Sequence, residues 1–166
     1  HVLKRSKPEG LDVAQPYRLK TATGDIAIVF RETTLSDHIG FTYQNMEPEQ
    51  SVEHFVREIA KYIPSKDDGD KLLTVILDGE NAWEWYRYDL DAKTFLNELY
   101  ARLSELREEG KVTCVNPTEY FKGNPARNIQ AHPIEDLAEI TELWPGSWIN
   151  ANYDTWIGEA EENTEQ

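Results

Sequence analysis

Two short apolar runs constrain the fold of this chain more than any other feature. Residues 26–30 read IAIVF and residues 72–77 read LLTVIL, so apolar residues do not alternate strictly with polar ones. Runs of this length, rich in β-branched residues, are typical of strands covered on both faces, as in a parallel sheet. Residues 112–115 (VTCV) are a third, shorter candidate, and the Asn116-Pro pair after it predicts the start of a brief helix.

Helical spacing of apolar residues separates these strand candidates. Apolar residues recur at helical intervals in residues 48–63 and again in residues 91–110. Pro64 ends the first helix, while Asp91 is a suitable N-cap and Gly110 a suitable stop for the second. The order of strand, loop, helix, strand, helix and strand predicts an alternating α/β fold. Three strands are too few for a whole barrel, so we expect part of a larger α/β fold.

The charge balance and the short apolar runs exclude several classes of function. The 166 residues include 31 acidic and 17 basic side chains, which gives a formal charge of −14, whereas nucleic-acid binding requires clustered Lys and Arg. No run approaches the roughly 20 apolar residues of a membrane-spanning helix. Cys114 is the single cysteine, which excludes an internal disulfide and a Cys-based zinc site. We therefore expect neither a nucleic acid nor a membrane as partner.

The first residues of the chain bear on its expected cellular location and on its origin. They read HVLKR and contain no apolar segment of the kind found in signal peptides, so we expect a cytoplasmic protein. Because the chain begins with His rather than Met, we also expect an excerpt or a processed product of a longer chain.

Three carboxylates follow the second apolar run, namely Asp78, Glu80 and Glu84. In α/β barrels, reactive side chains lie at the C-terminal ends of strands, where the loops converge. The aromatic residues that follow could give such a carboxyl group apolar surroundings, and aromatic faces also suit the C–H-rich faces of sugar rings. A structural interpretation stays open, because Asp-Gly is a hairpin turn signal and residues 82–88 alternate enough to form a returning strand.

Two further segments carry candidate binding residues. The loop at residues 31–41 contains Asp37 and His38, which form either a surface hydrogen-bonding pair or part of a site. Residues 144–159 hold three of the five tryptophans together with Asn and Asp, which suits either a polyhydroxylated ligand or a plug over the sheet. No spacing typical of metal-binding histidines occurs, so we expect no cofactor, with a carboxylate-bound Ca²⁺ left open.

Three separated motifs resemble one known family. Residues 77–84 read LDGENAWE, which resembles the fourth signature region of glycoside hydrolase family 57, the amylase and amylopullulanase family. Residues 145–149 (PGSWI) with 154–159 (DTWIGE) are similar to the region that follows it, and residues 30–31 with 35–41 (LSDHIGF) are similar to another family segment. The resemblance implies an incomplete barrel of seven β/α units that acts on α-glucans with retention. The fold prediction is therefore α/β, a partial (β/α)7 barrel fragment with parallel strands.

The resemblance also implies roles for individual residues. Asp78 would be the general acid/base, and no cofactor would be required. The candidate substrate contacts are Glu80, Trp83, Trp148 and Trp156, with Asp37 as a polar wall of the same cleft.

No segment of this chain resembles the first regions of the family, which include its glutamate nucleophile. A retaining glycosidase needs two carboxyl groups about 5–5.5 Å apart. We therefore expect residues 21–158 to be the C-terminal part of a catalytic barrel, after an irregular lead-in at 1–20 and before an acidic tail at 159–166. The remainder of the barrel would be a partner, and this chain alone would be inactive.

Hydrolysis, glucanotransfer and branching are all compatible with these motifs, as are several linkage preferences and oligomeric states. Two alternatives from other classes also stay open. One is a non-catalytic carbohydrate-binding module that uses the tryptophan-rich loops, and the other is an interaction domain whose tryptophans belong to its core.

Overall fold

A computed structural model describes residues 12–65, 69–79, 83–147, 150 and 152–157. The chain divides into two compact units. The first unit contains His1–Asp12, Pro16–Ile28 and His132–Gln166, and the second contains Val13–Gln15 and Val29–Ala131. The described strands lie in the first unit, and the two longest described helices lie in the second.

The first unit is built on a three-stranded sheet. Strand β1 (Tyr17–Thr21) lies between β2 (Gly24–Ile28) and β3 (Ala138–Ile140). β1 pairs antiparallel with β2 across a hairpin turn at residues 22–23, and it pairs parallel with β3. The side chains of Tyr17 and Ile140 are fully buried in this unit.

This sheet differs from the one that the apolar runs predict. The sequence predicts a covered parallel strand at residues 26–30, but β2 pairs antiparallel and leaves Ile26 48% exposed. Residues 17–20, assigned by the sequence to an irregular lead-in, belong to β1. The physical reason is that YRLK alternates apolar and polar side chains, as a half-buried strand does, and provides β2 with an adjacent partner.

The second unit is mainly helical. Its elements are α1 (Thr33–Asp37), a π-helical turn (His38–Thr42), α2 (Pro48–Ala60), α3 (Lys93–Glu108) and α4 (Pro117–Lys122). α2 packs against α3. The buried apolar side chains of this unit form one core, made of Leu35, Ile39, Tyr43, Val52, Phe55, Ile59, Tyr86, Ala92, Phe95, Leu99 and Leu106. The two long helices predicted from apolar spacing are thereby confirmed.

The start of α3 corrects one detail of the prediction. The carboxylate of Asp89, not that of Asp91, accepts hydrogen bonds from the N–H groups of Thr94 and Phe95, at 3.0 and 2.8 Å. Burial alone would raise the pKa of Asp89, but these hydrogen bonds lower it below its ordinary value. Asp91 and the following Ala92 instead have positive φ angles of 55° and 54°.

The second and third strand candidates are not regular strands. Residues 72–77 are extended; Thr74 forms a parallel bridge with Arg31, and the Leu72 N–H donates to the Ala14 carbonyl at 2.9 Å. Residues 112–115 belong to no strand. The chain is therefore a small mixed α/β protein, as its class predicts. The described residues do not form the expected parallel sheet, and the barrel fragment stays a prediction. No helix among them combines the length and apolar character needed to cross a membrane.

Candidate active site

The beginning of α1 is hydrogen-bonded to the extended run at residues 72–77, which precedes Asp78. The Glu32 N–H donates to the Thr74 carbonyl at 2.8 Å, next to the parallel bridge. The buried Ser36 hydroxyl accepts from the Ile76 N–H at 3.2 Å and donates to the Glu32 carbonyl at 2.6 Å. Because these bonds act on the backbone of the run, they fix the position from which Asp78 emerges.

Arg31 completes this junction. Its Nε donates to the Ile76 carbonyl at 2.8 Å, and its Nη2 forms an ion pair of 2.7 Å with Asp37. The guanidinium group therefore brings Asp37 to the same end of the extended run as Asp78. Asp37 forms an ion pair with Arg31, whereas the sequence pattern indicates a hydrogen-bonding pair with His38 as one interpretation.

Asp78 is exposed at the end of the run. Its carboxyl group forms no hydrogen bond or ion pair with any residue that the structure describes. The carboxyl group is therefore not enclosed by the described residues, unlike the apolar surroundings that the sequence predicts. The side chain is instead open to a ligand that approaches from solvent.

The hairpin interpretation of Asp-Gly is wrong for the described part of the following loop. Residues 83–88 form a turn and bends rather than a returning strand, and the Tyr86 N–H donates to the Trp83 carbonyl at 3.2 Å. Trp83 is half-buried and packs against the core, with its ring centroid 5.9 Å from that of Tyr86. Trp83 is therefore part of the packing around the core, and its role as a substrate contact stays a prediction.

The other predicted contacts are spread over both units. Trp156 lies on α5 (Asp154–Ile157) in the first unit, and its side chain is 59% exposed. Glu80 and Trp148 lie outside the described residues. The roles predicted for these three residues stay predictions.

A surface groove with aromatic walls lies in the second unit. It encloses about 280 Å³ and is lined by five residues, which we call the aromatic groove: Gly40, Phe41, Gln44, Trp85 and Arg87. The sequence did not predict this groove, because its walls come from two loops that meet through hydrogen bonds between residues distant in the chain. The available signal in the sequence was the presence of aromatic residues, Phe41 and Trp85, in these two loops.

Three rings form a cluster beside the π-helical turn. The hydroxyl of the fully buried Tyr43 lies 2.9 Å from Nδ1 of His54, and the His38 and His54 rings meet edge to face with centroids 4.8 Å apart. Burial raises the pKa of Tyr43 well above its ordinary value. Burial, followed by the neighbouring His38, lowers the pKa of His54. This cluster links α2 to the segment that carries Asp37.

Metal binding finds no support in the arrangement of side chains. Within the described ranges, no three His, Cys, Asp or Glu residues converge in a way that could hold a metal ion.

Comparison with known proteins agrees with the motifs around Asp78. A search of curated protein sequences finds no match to the chain. A family model described as Glycosyl hydrolase family 57 matches residues 3–136, which include Arg31, Asp37, Asp78 and the whole aromatic groove. This match covers well over half of the 166 residues, and the chain therefore belongs to glycosyl hydrolase family 57.

Proposed function

We propose that this chain supplies the general acid/base of a retaining glycoside hydrolase that acts on α-glucans, and that Asp78 is that residue. Family membership supports glycoside hydrolase activity and a carbohydrate substrate. The junction of residues 31–36 with residues 74–76 carries the assignment of the residue. It holds the backbone just before Asp78, while the carboxyl group stays open to solvent.

An acid/base residue has to act twice in a retaining reaction. It first donates a proton to the oxygen of the leaving sugar, and it then removes a proton from the water that attacks the glycosyl-enzyme intermediate. Asp78 is free for both steps, since no described residue holds its carboxyl group in an ion pair. The nucleophile, about 5–5.5 Å from the acid/base in retaining enzymes, would come from outside these 166 residues.

The predicted binding residues complete the proposal. Trp83, Trp148 and Trp156 would offer ring faces to sugars, and Glu80 would bind hydroxyl groups. Asp37 would form a polar wall, because Arg31 holds its carboxylate at the end of the run that leads to Asp78.

The test is Asp78→Asn in the enzyme that combines this chain with the proposed nucleophile. General acid–base help is worth about 10²–10⁴-fold, so turnover of polymeric α-glucan should fall by about that factor. A substrate with a good leaving group needs no proton in the first step, so the covalent intermediate should accumulate. Added azide needs no base and should restore turnover, giving a glycosyl azide of retained configuration.

The matched control is Asp91→Asn, the same chemical change at an exposed residue whose carboxylate pairs with Lys93 at 3.2 Å. This variant should keep wild-type turnover. Normal hydrolysis of polymer by Asp78→Asn, or an inverted azide product, would overturn the role given to Asp78.

A carbohydrate-binding module without catalysis is the second candidate. The exposed ring of Trp156 on α5 favours it, because such rings are common sugar platforms. Binding of α-glucan without turnover, even when the chain is joined to the proposed nucleophile, would select this candidate over the first.

A further inference from the structure

We propose that Arg31 is a positioning residue for the acid/base step. Its guanidinium group holds the peptide that leads into Asp78, and it thereby fixes the direction from which the Asp78 carboxyl group meets a glycosidic oxygen. The inference rests on the proposed function for the role of Asp78. It gives a role to a side chain for which neither the motifs nor the proposed mechanism supplies one.

The backbone ladder between the two segments of the junction ends before Asp78. Thr74 forms the parallel bridge with Arg31, and the Glu32 N–H donates to the Thr74 carbonyl at 2.8 Å. α1 begins directly after Glu32, so the chain turns there into a helix that bonds its own backbone. Within the described part of the chain, Ile76 forms no hydrogen bond to another backbone group. The peptide groups just before Asp78 therefore depend on side chains.

Two side chains replace the ladder at Ile76. The Ser36 hydroxyl accepts from its N–H at 3.2 Å, and Nε of Arg31 donates to its carbonyl at 2.8 Å. The Ile76 side chain is 45% exposed, so packing contributes little to holding this residue. Of the two bonded groups, the carbonyl lies nearer to Asp78 along the chain. Arg31 is thus the described side chain that anchors the last peptide group before the segment of Asp78.

The guanidinium group is itself held in one orientation. Its Nη2 pairs with Asp37 at 2.7 Å, while its Nε bonds to the Ile76 carbonyl. Because the guanidinium is planar and its donors form a rigid fork, two bonds from one edge fix its plane. A hydrogen bond from a charged donor is also stronger than one between neutral groups. The carbonyl of Ile76 is therefore held in a defined direction.

The position of this peptide matters because nothing else described directs Asp78. Its carboxyl group has no partner among the described residues, so its placement follows from the backbone. Ile76 and Asp78 are two residues apart, or about 6.6 Å in an extended chain, so a rotation of about 10° at Ile76 displaces Asp78 by roughly 1 Å. A general acid must lie within about 2.6–3.2 Å of its oxygen, and a misplacement of about 1 Å can cost about 10²-fold in rate.

The same kind of contact recurs where no chemistry is proposed. Nη2 of Arg127 donates to the Cys114 carbonyl at 3.0 Å, and Nη1 pairs with Glu119 at 2.6 Å. The Arg127 side chain is 32% exposed, against 34% for Arg31. Arg127 therefore anchors the carbonyl of another extended run in the way that Arg31 does, but no candidate acid/base follows that run. It is the matched control for Arg31.

The experiment measures kcat/KM for two aryl α-maltosides in the enzyme that combines this chain with the proposed nucleophile. The phenyl glycoside needs a proton on its leaving oxygen, whereas the dinitrophenyl glycoside does not. For a retaining enzyme, kcat/KM reports only the steps up to the glycosyl-enzyme intermediate. Arg31→Gln should lower kcat/KM by about 10–100-fold for the phenyl glycoside and by less than about threefold for the dinitrophenyl glycoside. Arg127→Gln should leave both values unchanged.

Arg31→Lys separates position from charge. The variant keeps the positive charge, but one ammonium group cannot reproduce the fork that bonds to Ile76 and Asp37. We expect it also to lower kcat/KM for the phenyl glycoside more than for the dinitrophenyl glycoside. Wild-type kinetics in Arg31→Lys would overturn positioning by the fork. This variant also keeps the test decisive if Arg31→Gln does not fold.

Asp78→Asn separates this inference from the proposed function. It should show the same dependence on the leaving group, with a larger loss. If it does while Arg31→Gln lowers kcat/KM equally for both glycosides, or has no more effect than Arg127→Gln, the positioning role fails and the acid/base role stands.

A measurement without turnover tests the anchoring by itself. Backbone ¹⁵N relaxation of the 166-residue chain should show lower order at residues 77–79 in Arg31→Gln than in the wild type or in Arg127→Gln. Unchanged order would overturn the positioning role. If Asp78→Asn hydrolyses the phenyl glycoside normally while this order depends on Arg31, the acid/base role fails and the anchoring by Arg31 stands.

Discussion

Two neighbouring regions of the second unit use their polar side chains in opposite ways. In residues 31–37, the polar groups bind one another and the run at 74–76, through Arg31, Glu32 and Ser36. In residues 78–87, the side chains of Asp78, Trp85 and Arg87 form no hydrogen bond or ion pair with described residues. The first region therefore acts as a scaffold, and the second keeps its chemical groups available to a ligand.

The strongest test of this contrast compares two aspartates. Asp78→Asn should lower turnover of α-glucan by about 10²–10⁴-fold, whereas Asp37→Asn should lower it less than about tenfold and act mainly on KM. The reason is that Asp37 forms a half-exposed pair with Arg31, and such pairs contribute about 0.2–1 kcal/mol. Steady-state kinetics on both variants decide the point. Equal losses of kcat would break the contrast.

Local patterns predicted α2, α3 and α4, but not α1 and the π-helical turn, which lie in the segment at 31–41 that the sequence assigns to a loop. The apolar spacing of α2 and α3 is visible within each helix, and the Asn116 capping box at the start of α4 needs only the next three residues. β1 was missed because its YRLK pattern is short, and its parallel partner β3 lies more than a hundred residues away. The sequence predicts Asp91 as the cap of α3, but the capping side chain is that of Asp89. A 3₁₀ turn (Leu90–Ala92), which no local pattern predicts, separates Asp89 from the helix.

The candidate site was predictable only in part. The motif and the apolar run located Asp78, since both lie in one continuous segment. The junction at Arg31 and the aromatic groove depend on contacts between segments that lie more than forty residues apart, such as the hydrogen bond from Tyr86 to Ile39. No local spacing encodes such contacts.

Ser36→Ala tests the scaffold itself. The change removes a buried hydroxyl that bonds to both Ile76 and Glu32, and it leaves the Ile76 N–H without this acceptor. We expect a loss of about 0.5–1.5 kcal/mol in the free energy of unfolding, measured by urea titration. Ser104→Ala is the matched control, since the exposed Ser104 hydroxyl bonds only to the Tyr100 carbonyl within its own helix. A loss no larger than in this control would contradict the scaffold role.

Tyr86→Phe tests the hydrogen bond that joins residues 78–87 to the segment at 38–44. It removes the buried hydroxyl that donates to the Ile39 carbonyl, so we expect a loss of about 0.5–1.5 kcal/mol in the free energy of unfolding. Tyr100→Phe, at an exposed position, should leave it unchanged. A loss in Tyr86→Phe no larger than in Tyr100→Phe would contradict the role of this bond in joining the two loops.

The smallest expected effect is the pH dependence of stability that comes from the ring cluster of His38, Tyr43 and His54. The groups that face His54 are the Tyr43 hydroxyl, His38, Arg57, Glu58 and Lys61. Burial first, and then His38, lower the pKa of His54, although Glu58 opposes this shift. When His54 is neutral with its proton on Nε2, Nδ1 accepts a hydrogen bond from Tyr43, and this acceptor is lost on protonation.

The sign of the resulting pH dependence follows from these contacts. The unfolded chain protonates His54 near its ordinary pKa of 6.5, whereas the folded chain does so only at lower pH. The contribution of neutral His54 to the free energy of unfolding is therefore complete above pH 6.5, and it declines as the pH falls from 6.5 toward the pKa of His54 in the folded chain. Urea titrations between pH 5 and pH 8 should show a weaker pH dependence in His54→Gln than in the wild type, and the His54 ring resonances should titrate below 6.5. A ring that titrates at or above 6.5, or an unchanged slope in His54→Gln, would mean that the folded chain does not hold this histidine neutral.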